Sequence, residues 1–320
     1  MGGRALKHYI GVDVGGTKIA LIKGDEEGNI LQKVRFENDM DCKTALNRIV
    51  EEAKKLGPAE SIGVSCGGPL DSKKGLVQSP PNLPGWDDIP ITEILQQATG
   101  IPAYLQNDAN ACALAEWKFG AGKGTENMIF LTFGTGLGAG LILNGALYEG
   151  TNGNAGEAGH IPLAERGPVG YGKAGSFEGF CSGGGIQRMA QACAEEAFRN
   201  NRTPSFCASP AQINGITAKS VAEKADEGKE DALEIYRRCG SMLGRGLSIL
   251  IDLFNPEAIV LGSIYTRVPH LLIPSMEEEL TRQCLPQSRK VCRILPALLG
   301  ESLGDVAALT VAINGNRRKL

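Results

Sequence analysis

Residues 12–22 read VDVGGTKIALI, and residues 131–143 read LTFGTGLGAGLIL. Each is an apolar run, a glycine–threonine turn and a second apolar run, which predicts two strands joined by a tight loop. The two stretches lie about 120 residues apart, one domain length. Around the first, residues 8–14, 18–23 and 30–36 predict a three-stranded meander, with GDEEGN (24–29) as a turn. Helical spacing of Ala45, Ile49, Val50, Ala53 and Leu56 predicts a helix over 42–56, stopped by Gly57-Pro58. A strand at 61–66, a Pro/Gly/Asp-rich loop at 70–90, a helix at 91–99, a strand at 102–106 and a helix at 108–119 complete this block. Around the second lie a strand pair over 127–143 and a glycine-rich stretch, 150–185, of little periodicity. Then come helices at 183–199, 217–227 and 230–253, a buried strand at 258–262, a helix at 268–282, a strand at 291–295 and a closing helix at 303–313. Two α/β blocks, each led by a glycine-turn hairpin, suggest a duplicated architecture with a ligand between its halves.

Composition narrows the function classes. The chain has 320 residues, 42% hydrophobic and 22% charged, with a net charge of −3. That suits two folded domains and excludes a disordered chain. No basic excess marks a nucleic-acid binder. Residues 129–148 carry no charge and could span a bilayer by length. Five glycines and two threonines within them predict strand, loop and strand instead, so no membrane partner is expected. The 9 cysteines show no CxxC spacing, and residues 1–16 lack an apolar h-region and an A-x-A cleavage site, so no secretory leader is expected. A cytoplasmic protein with reduced thiols is expected. Gly2 fails as a myristoylation site because Leu6 stands where Ser or Thr is needed.

Four groups of residues carry chemistry. In DVGGTK (13–18), Gly15 and Gly16 can take positive φ and bring backbone N–H groups close to an anion. Thr17 and Lys18 add donors, and Asp13 can hold Mg²⁺ through water. The same residues also read as a plain hairpin turn. In the second loop, Gly134, Thr135 and Gly136 follow a strand but precede another strand, which disfavours dinucleotide binding and leaves phosphate cradling. Asp108, after Asn107, is either a helix N-cap or a carboxylate at a strand's carboxyl end that accepts a substrate proton. Glu157 and Glu178, with His160 between them, sit in the glycine-rich stretch. They read as acceptors for vicinal hydroxyls or as solvated loop charges, and His160 as a satisfied buried histidine.

Taken together, DVGGTK (13–18), GGP (67–69), NLPGW (82–86), NDANA (107–111), FGTGLGAG (133–140), EAGH (157–160) and FEGFCSG (177–183) occur in an order that resembles the ROK family of repressors and sugar kinases, within the actin-like ATPase superfamily. The resemblance implies an α/β, two-lobed, ribonuclease H-like fold with duplicated domains and an interlobe cleft. It implies a small lobe of residues 1–108 plus 301–320 and a large lobe of residues 109–300. It implies transfer of the γ-phosphate of ATP to a hexose hydroxyl, usually O6, with Asp108 as general base. Gly68, Pro69, Asn107, Glu157, His160 and Glu178 would bind the sugar. Gly15, Gly16, Thr17, Lys18, Gly134, Thr135, Gly136 and Gly262 would hold the nucleotide, and Asp13 the Mg²⁺. A cytoplasmic homodimer is implied by the resemblance alone.

Two departures stand out. Many members of the family bind zinc through C-x-C-G-x-x-G-C-L-E; here the aligned run is Val169 to Glu178, with Val169, Tyr171 and Ser176 at the cysteine positions. None of these replaces a thiolate, so no zinc is expected and Tyr171 and Phe177 are expected to pack the loop instead. Where the family often has three glycines near the adenosine, this chain has Gly262-Ser263-Ile264. The different-class alternative is a sugar-sensing regulator without catalysis. Only about nine residues precede the first strand core, too few for a helix-turn-helix.

Overall fold

The computed structural model describes residues 6–317; residues 1–5, Gly2 among them, and 318–320 lie outside it. Strands β1 (His8–Val14), β2 (Lys18–Asp25) and β3 (Ile30–Glu37) form the meander, followed by α1 (Cys42–Lys55) and β4 (Ile62–Cys66). A short hairpin, β5 (Leu70–Asp71) and β6 (Leu76–Val77), precedes α2 (Ile91–Thr99), β7 (Ala103–Asn107) and α3 (Asp108–Phe119). The next strands are β8 (Met128–Leu131), β9 (Ala139–Leu143) and β10 (Ala146–Tyr148), then the hairpin β11 (Val169–Gly170) and β12 (Lys173–Ala174). After them run α4 (Phe177–Phe180), α5 (Gly183–Arg199), α6 (Ala218–Asp226), α7 (Glu230–Phe254), β13 (Ala258–Leu261), α8 (Ile264–Arg267), α9 (Pro269–Gln283), α10 (Pro286–Val291), β14 (Arg293–Pro296) and α11 (Leu303–Arg317).

Two five-stranded sheets share one plan, with orders β3-β2-β1-β4-β7 and β10-β9-β8-β13-β14. In the first, β1 is antiparallel to β2 and parallel to β4, and β4 is parallel to β7. In the second, β9 and β10 are antiparallel, and β13 runs parallel to β8 and β14. The chain gathers into two compact units. One holds the chain up to Thr125, Gly140–Ala155 and the part from Leu298 on; the other holds Glu126–Ala139 and Gly156–Ala297.

In the first unit the strand period of two decides which side chain meets which layer. Ile10, Val12 and Val14 of β1 join Ile62, Val64 and Leu105 in a core closed by Ala45, Ile49 and Ala53 of α1 and Leu95 of α2. Each large aliphatic side chain fully buried there contributes about 1.5–3 kcal/mol. The opposite face presents Tyr9 to Leu309, Ala312 and Ile313 of α11. Gly11 and Gly63, cross-strand partners on that face, let the helix settle onto the sheet. A Cβ at Gly11 would lie 2.5 Å from the Leu309 nitrogen, and one at Gly63 would lie 2.2 Å from the Ala312 nitrogen. Ala111 and Ala115 of α3 pack on Ala307 and Val311 of α11. Glu116, fully buried, accepts from the backbone N–H groups of Ala121 (2.7 Å), Leu298 (3.2 Å) and Leu299 (2.9 Å), which ties α3 to the chain entering α11.

Local signals account for most boundaries. Asp41 caps α1 through the Thr44 N–H (3.1 Å), and Gly57 follows with φ +79°. The expected strand at 291–295 starts at Arg293, because Pro286 opens a short helix that consumes the residues before it. The 70–90 loop contains β5 and β6, and the 150–185 stretch contains β11, β12 and α4, elements too short to show periodicity. Residues 129–148 form strands and their loops, and no helix among the described residues is long and apolar enough to cross a membrane.

Candidate active site

In the first unit, parallel strands β1, β4 and β7 end side by side, Val14 beside Cys66 and Cys66 beside Asn107. Their carboxyl ends are where open α/β sheets bind ligands. Asp13, one residue from the end of β1, shares the face of Gly11 and meets the start of α11; a Cβ at Gly304 would lie 3.0 Å from Asp13 Oδ2. Burial, then the charges of Asp305 and Asp108, push the Asp13 carboxyl up to about 6, against a smaller pull from Lys33 and Arg35. Lys33 Nζ pairs with Asp305. Carboxylates held this close repel one another, and a cation relieves that repulsion.

The loop from β1 to β2 is a tight hairpin. Gly15 N–H donates to the Lys18 carbonyl (3.0 Å), and Asn38 Nδ2 donates to the Gly15 carbonyl (2.8 Å). Neither Gly15 nor Gly16 takes positive φ, contrary to the sequence expectation. They are needed for space: a Cβ at Gly16 would lie 2.7 Å from the Asn82 carbonyl oxygen, and one at Gly15 would lie 2.9 Å from the Lys18 carbonyl oxygen. Thr17 and Lys18 are exposed at the tip, Lys18 3.6 Å from Glu37.

Asn107, not Asp108, is the N-cap of α3, its Oδ1 accepting from the Ala109 N–H (3.0 Å). Asp108 Oδ1 shares that donor (2.8 Å). Its other oxygen turns toward the GGP segment: a Cβ at Gly67 would meet Asp108 Oδ2 at 3.9 Å and Asn82 Oδ1 at 3.6 Å. A Cβ at Gly68 would meet Asn107 Nδ2 at 3.5 Å, and Pro69 follows through a cis bond. Asp13, the first glycine loop, the GGP segment, Asn107 and Asp108 therefore share one end of one unit. Cys66 and Cys112 lie near the same carboxylates, but burial pushes the Cys66 thiol up to about 12 and the Cys112 thiol well above its usual value, so neither serves as a thiolate.

The second unit gathers the other candidates. In the loop after β8, Gly134 N–H donates to the Gly136 carbonyl (3.0 Å), and the Gly134 and Thr135 carbonyls accept from Gly183 N–H (2.7 Å) and Gly184 N–H (3.3 Å). Glu178 Oε2 accepts from Leu137 N–H (3.0 Å), so this carboxylate braces the loop. A Cβ at Gly136 would lie 2.8 Å from the same oxygen. Glu157, exposed, precedes a single 3₁₀ turn over Ala158–His160, which ends in His160, half-buried. Tyr171 sets its ring against His160, and Lys173 Nζ donates to the His160 carbonyl (2.7 Å). Phe177 is fully buried against Gly246 of α7. Gly262 N–H donates to the Leu131 carbonyl (3.0 Å). Ser263, where the family favours glycine, sits at φ +53°, and its Oγ would lie 3.6 Å from a Cβ at Gly134.

Asn82, Asp305, Gln106 and Glu149 join these places without having been singled out from the sequence. Asn82 stands inside the NLPGW run, so it carried a signal; Asp305 had none, because only the packing of α11 brings it to β1. Among the described residues, no group of three or more His, Cys, Asp or Glu could hold a metal ion. A hydrated Mg²⁺ needs only one or two carboxylates, a requirement Asp13 with its acidic neighbours fits.

The model of the ROK family matches residues 9–314. The chain belongs to the ROK family. A glucokinase of Streptomyces coelicolor is 33% identical over 95% of this chain and 96% of its own length. Among solved structures, the ROK hexokinase of Thermus thermophilus superposes with a TM-score of 0.82 at 29% identity, covering 97% of this chain and 99% of that one. A ROK family glucokinase from Streptomyces griseus, in complex with glucose and AMPPNP, superposes with a TM-score of 0.76 at 31% identity over 97% of this chain and all of that one. The family extends to regulators: the DNA-binding transcriptional repressor Mlc of Escherichia coli is 28% identical over 86% of this chain and 69% of its own length. The fold is therefore the α/β, actin-like ATPase fold of this family.

Proposed function

We propose that the chain is an ATP-dependent hexose kinase of glucokinase type, transferring the γ-phosphate to a sugar hydroxyl, O6 in the leading case. The observation that carries the reading is the state of Asp108. Asn107 takes the capping role, and one Asp108 oxygen turns to the GGP segment. A carboxylate there can take the proton of an alcohol as it attacks phosphorus. In this reading Gly68, Pro69, Asn107, Glu157, His160 and Glu178 are the sugar-binding residues. The backbones of Gly15, Gly16, Gly134, Thr135 and Gly136 hold phosphate oxygens with Thr17 and Lys18, and Gly262 borders the nucleoside. Asp13 would hold Mg²⁺ through water, and the ion when bound supplies charge neutralisation at the phosphates. Phosphoryl transfer rests on such positioning and neutralisation rather than on covalent chemistry. The named relatives support the same reading: the first two act as glucokinase and hexokinase by name.

A second reading is favoured by the likeness to Mlc: a sugar-binding regulator without turnover. Purified protein incubated with ATP, Mg²⁺ and a panel of hexoses and hexosamines, followed by ADP release, separates the two. Sugar-dependent ADP release supports the kinase. Saturable sugar binding with no ADP release for any sugar replaces it with the regulator.

A further inference from the structure

β7 delivers Asn107 and Asp108, and the residue before them is a glutamine with an amide bonded at both ends. Gln106 is 5% exposed. Its Nε2 donates to Glu149 Oε1 (2.9 Å). Its Oε1 accepts from the Asn107 backbone N–H (2.8 Å) and from Asn110 Nδ2 (3.1 Å). Glu149 Oε1 also accepts from Ser72 Oγ (3.0 Å). One carboxylate oxygen thus joins the residue after β10, the hairpin that follows the GGP segment, and the junction of β7 with α3.

An ionised carboxylate only accepts hydrogen bonds. Glu149 and the Asn107 backbone N–H, which can only donate, therefore fix from opposite ends which way the Gln106 amide faces: nitrogen toward the carboxylate, oxygen toward Asn107 and Asn110. Gln106 and Glu149 line a cavity of about 180 Å³ together with Ser72, Lys73, Tyr104 and Asn314.

We propose that Glu149 and Gln106 are a positioning pair, the carboxylate orienting the amide and the amide holding the strand-to-helix junction that presents Asp108. The consequence for turnover rests on the kinase reading above; the geometry does not. Glu149→Gln keeps the volume but replaces an acceptor-only group by an amide that can turn either its oxygen or its nitrogen to Gln106. It lowers kcat on the order of 10- to 100-fold and leaves KM for sugar and ATP within about threefold, because geometry at the base is lost while the binding groups stay. Gln106→Glu combined with Glu149→Gln exchanges the roles. The carboxylate now at 106 can accept from Asn107 N–H, Asn110 Nδ2 and the new amide, so kcat returns toward the wild-type value. A merely structural role would lower the unfolding midpoint and would not be rescued by the exchange.

Hydrogen exchange across residues 103–112 tests the pair without turnover. Glu149→Gln is expected to speed exchange at the Asn107 N–H, and Ser72→Ala, which strips one donor from the same carboxylate, serves if Glu149→Gln does not fold. Unchanged exchange, or a double variant no faster in kcat than Glu149→Gln, overturns the pair. A wild-type protein that phosphorylates no sugar overturns the kinase reading instead and leaves the exchange result to decide the pair.

Discussion

The rings of His160 and Tyr171 meet edge to face, their centroids 5.3 Å apart and their planes at 90°. Tyr171 stands where the family resemblance places a zinc thiolate, at the tip of the β11–β12 hairpin. Tyr171 and Gly172 both take positive φ, +41° and +79°, which a two-residue hairpin turn requires. An aromatic contact and the Lys173 ammonium hold the His160 turn in this chain.

Purified protein should accordingly carry no stoichiometric zinc, and a chelator should leave Mg²⁺-supplemented turnover unchanged. Tyr171→Ala should raise the sugar KM about 2- to 10-fold, the equivalent of ~0.5–1.5 kcal/mol for an aromatic pair. One zinc per chain by elemental analysis would refute this account.

Asp108→Asn retains the shape of the side chain and abolishes its basicity. Turnover should fall by about 10²–10⁴ while sugar affinity, measured by calorimetry, changes less than about threefold. Near-normal kcat in this variant would remove Asp108 from the role of base.

Asp13 gives the stability curve a predictable sign. Its carboxyl is raised from 3.8 to about 6, first by burial and then by Asp305 and Asp108, so the folded state prefers the protonated form. The stability it lends is fully present below 3.8 and is lost as the pH rises through about 6. Asp13→Asn should flatten that decline in pH-dependent urea unfolding and raise the midpoint at neutral pH in the absence of Mg²⁺. Mg²⁺ should stabilise the wild type more than the variant. Parallel stability curves for the two proteins would rule out the assignment.

Gly63→Ala should destabilise the first unit by about 1–3 kcal/mol or more, because its Cβ would enter the backbone of α11 rather than a movable side chain. Urea unfolding should show a lower midpoint with an unchanged slope. A midpoint equal to the wild type would mean that α11 can move off the sheet without cost.

Much of the fold was legible in the residues. The helices at 91–99, 108–119 and 183–199 have the bounds their periodicity and stop residues predict. The two glycine hairpins lie at the head of matching sheets. Other features were not legible. Gly15 and Gly16 looked like positive-φ residues, but Gly15 makes room for the Lys18 carbonyl and Gly16 for Asn82, the second of which no local pattern shows. Asp108 read as either a cap or a base; Asn107 is the N-cap, and one Asp108 oxygen shares its donor, a division that the residues alone did not show. Glu178 looked like a free acceptor, yet one of its oxygens braces the second glycine loop.

The sequence by itself determined the longer strands and helices and most of their boundaries, because those depend on side chains within a turn or two along the chain. It also determined that thiolates are missing from the hairpin around Tyr171. Only the tertiary structure decided that Lys33 and Asp305, 272 positions apart, pair beside Asp13, and that Glu149 reaches Gln106. The first of these meetings follows from the closeness with which α11, carrying Asp305, lies on glycines of β1 and β4, and packing across a sheet is not encoded in the spacing of neighbours along it.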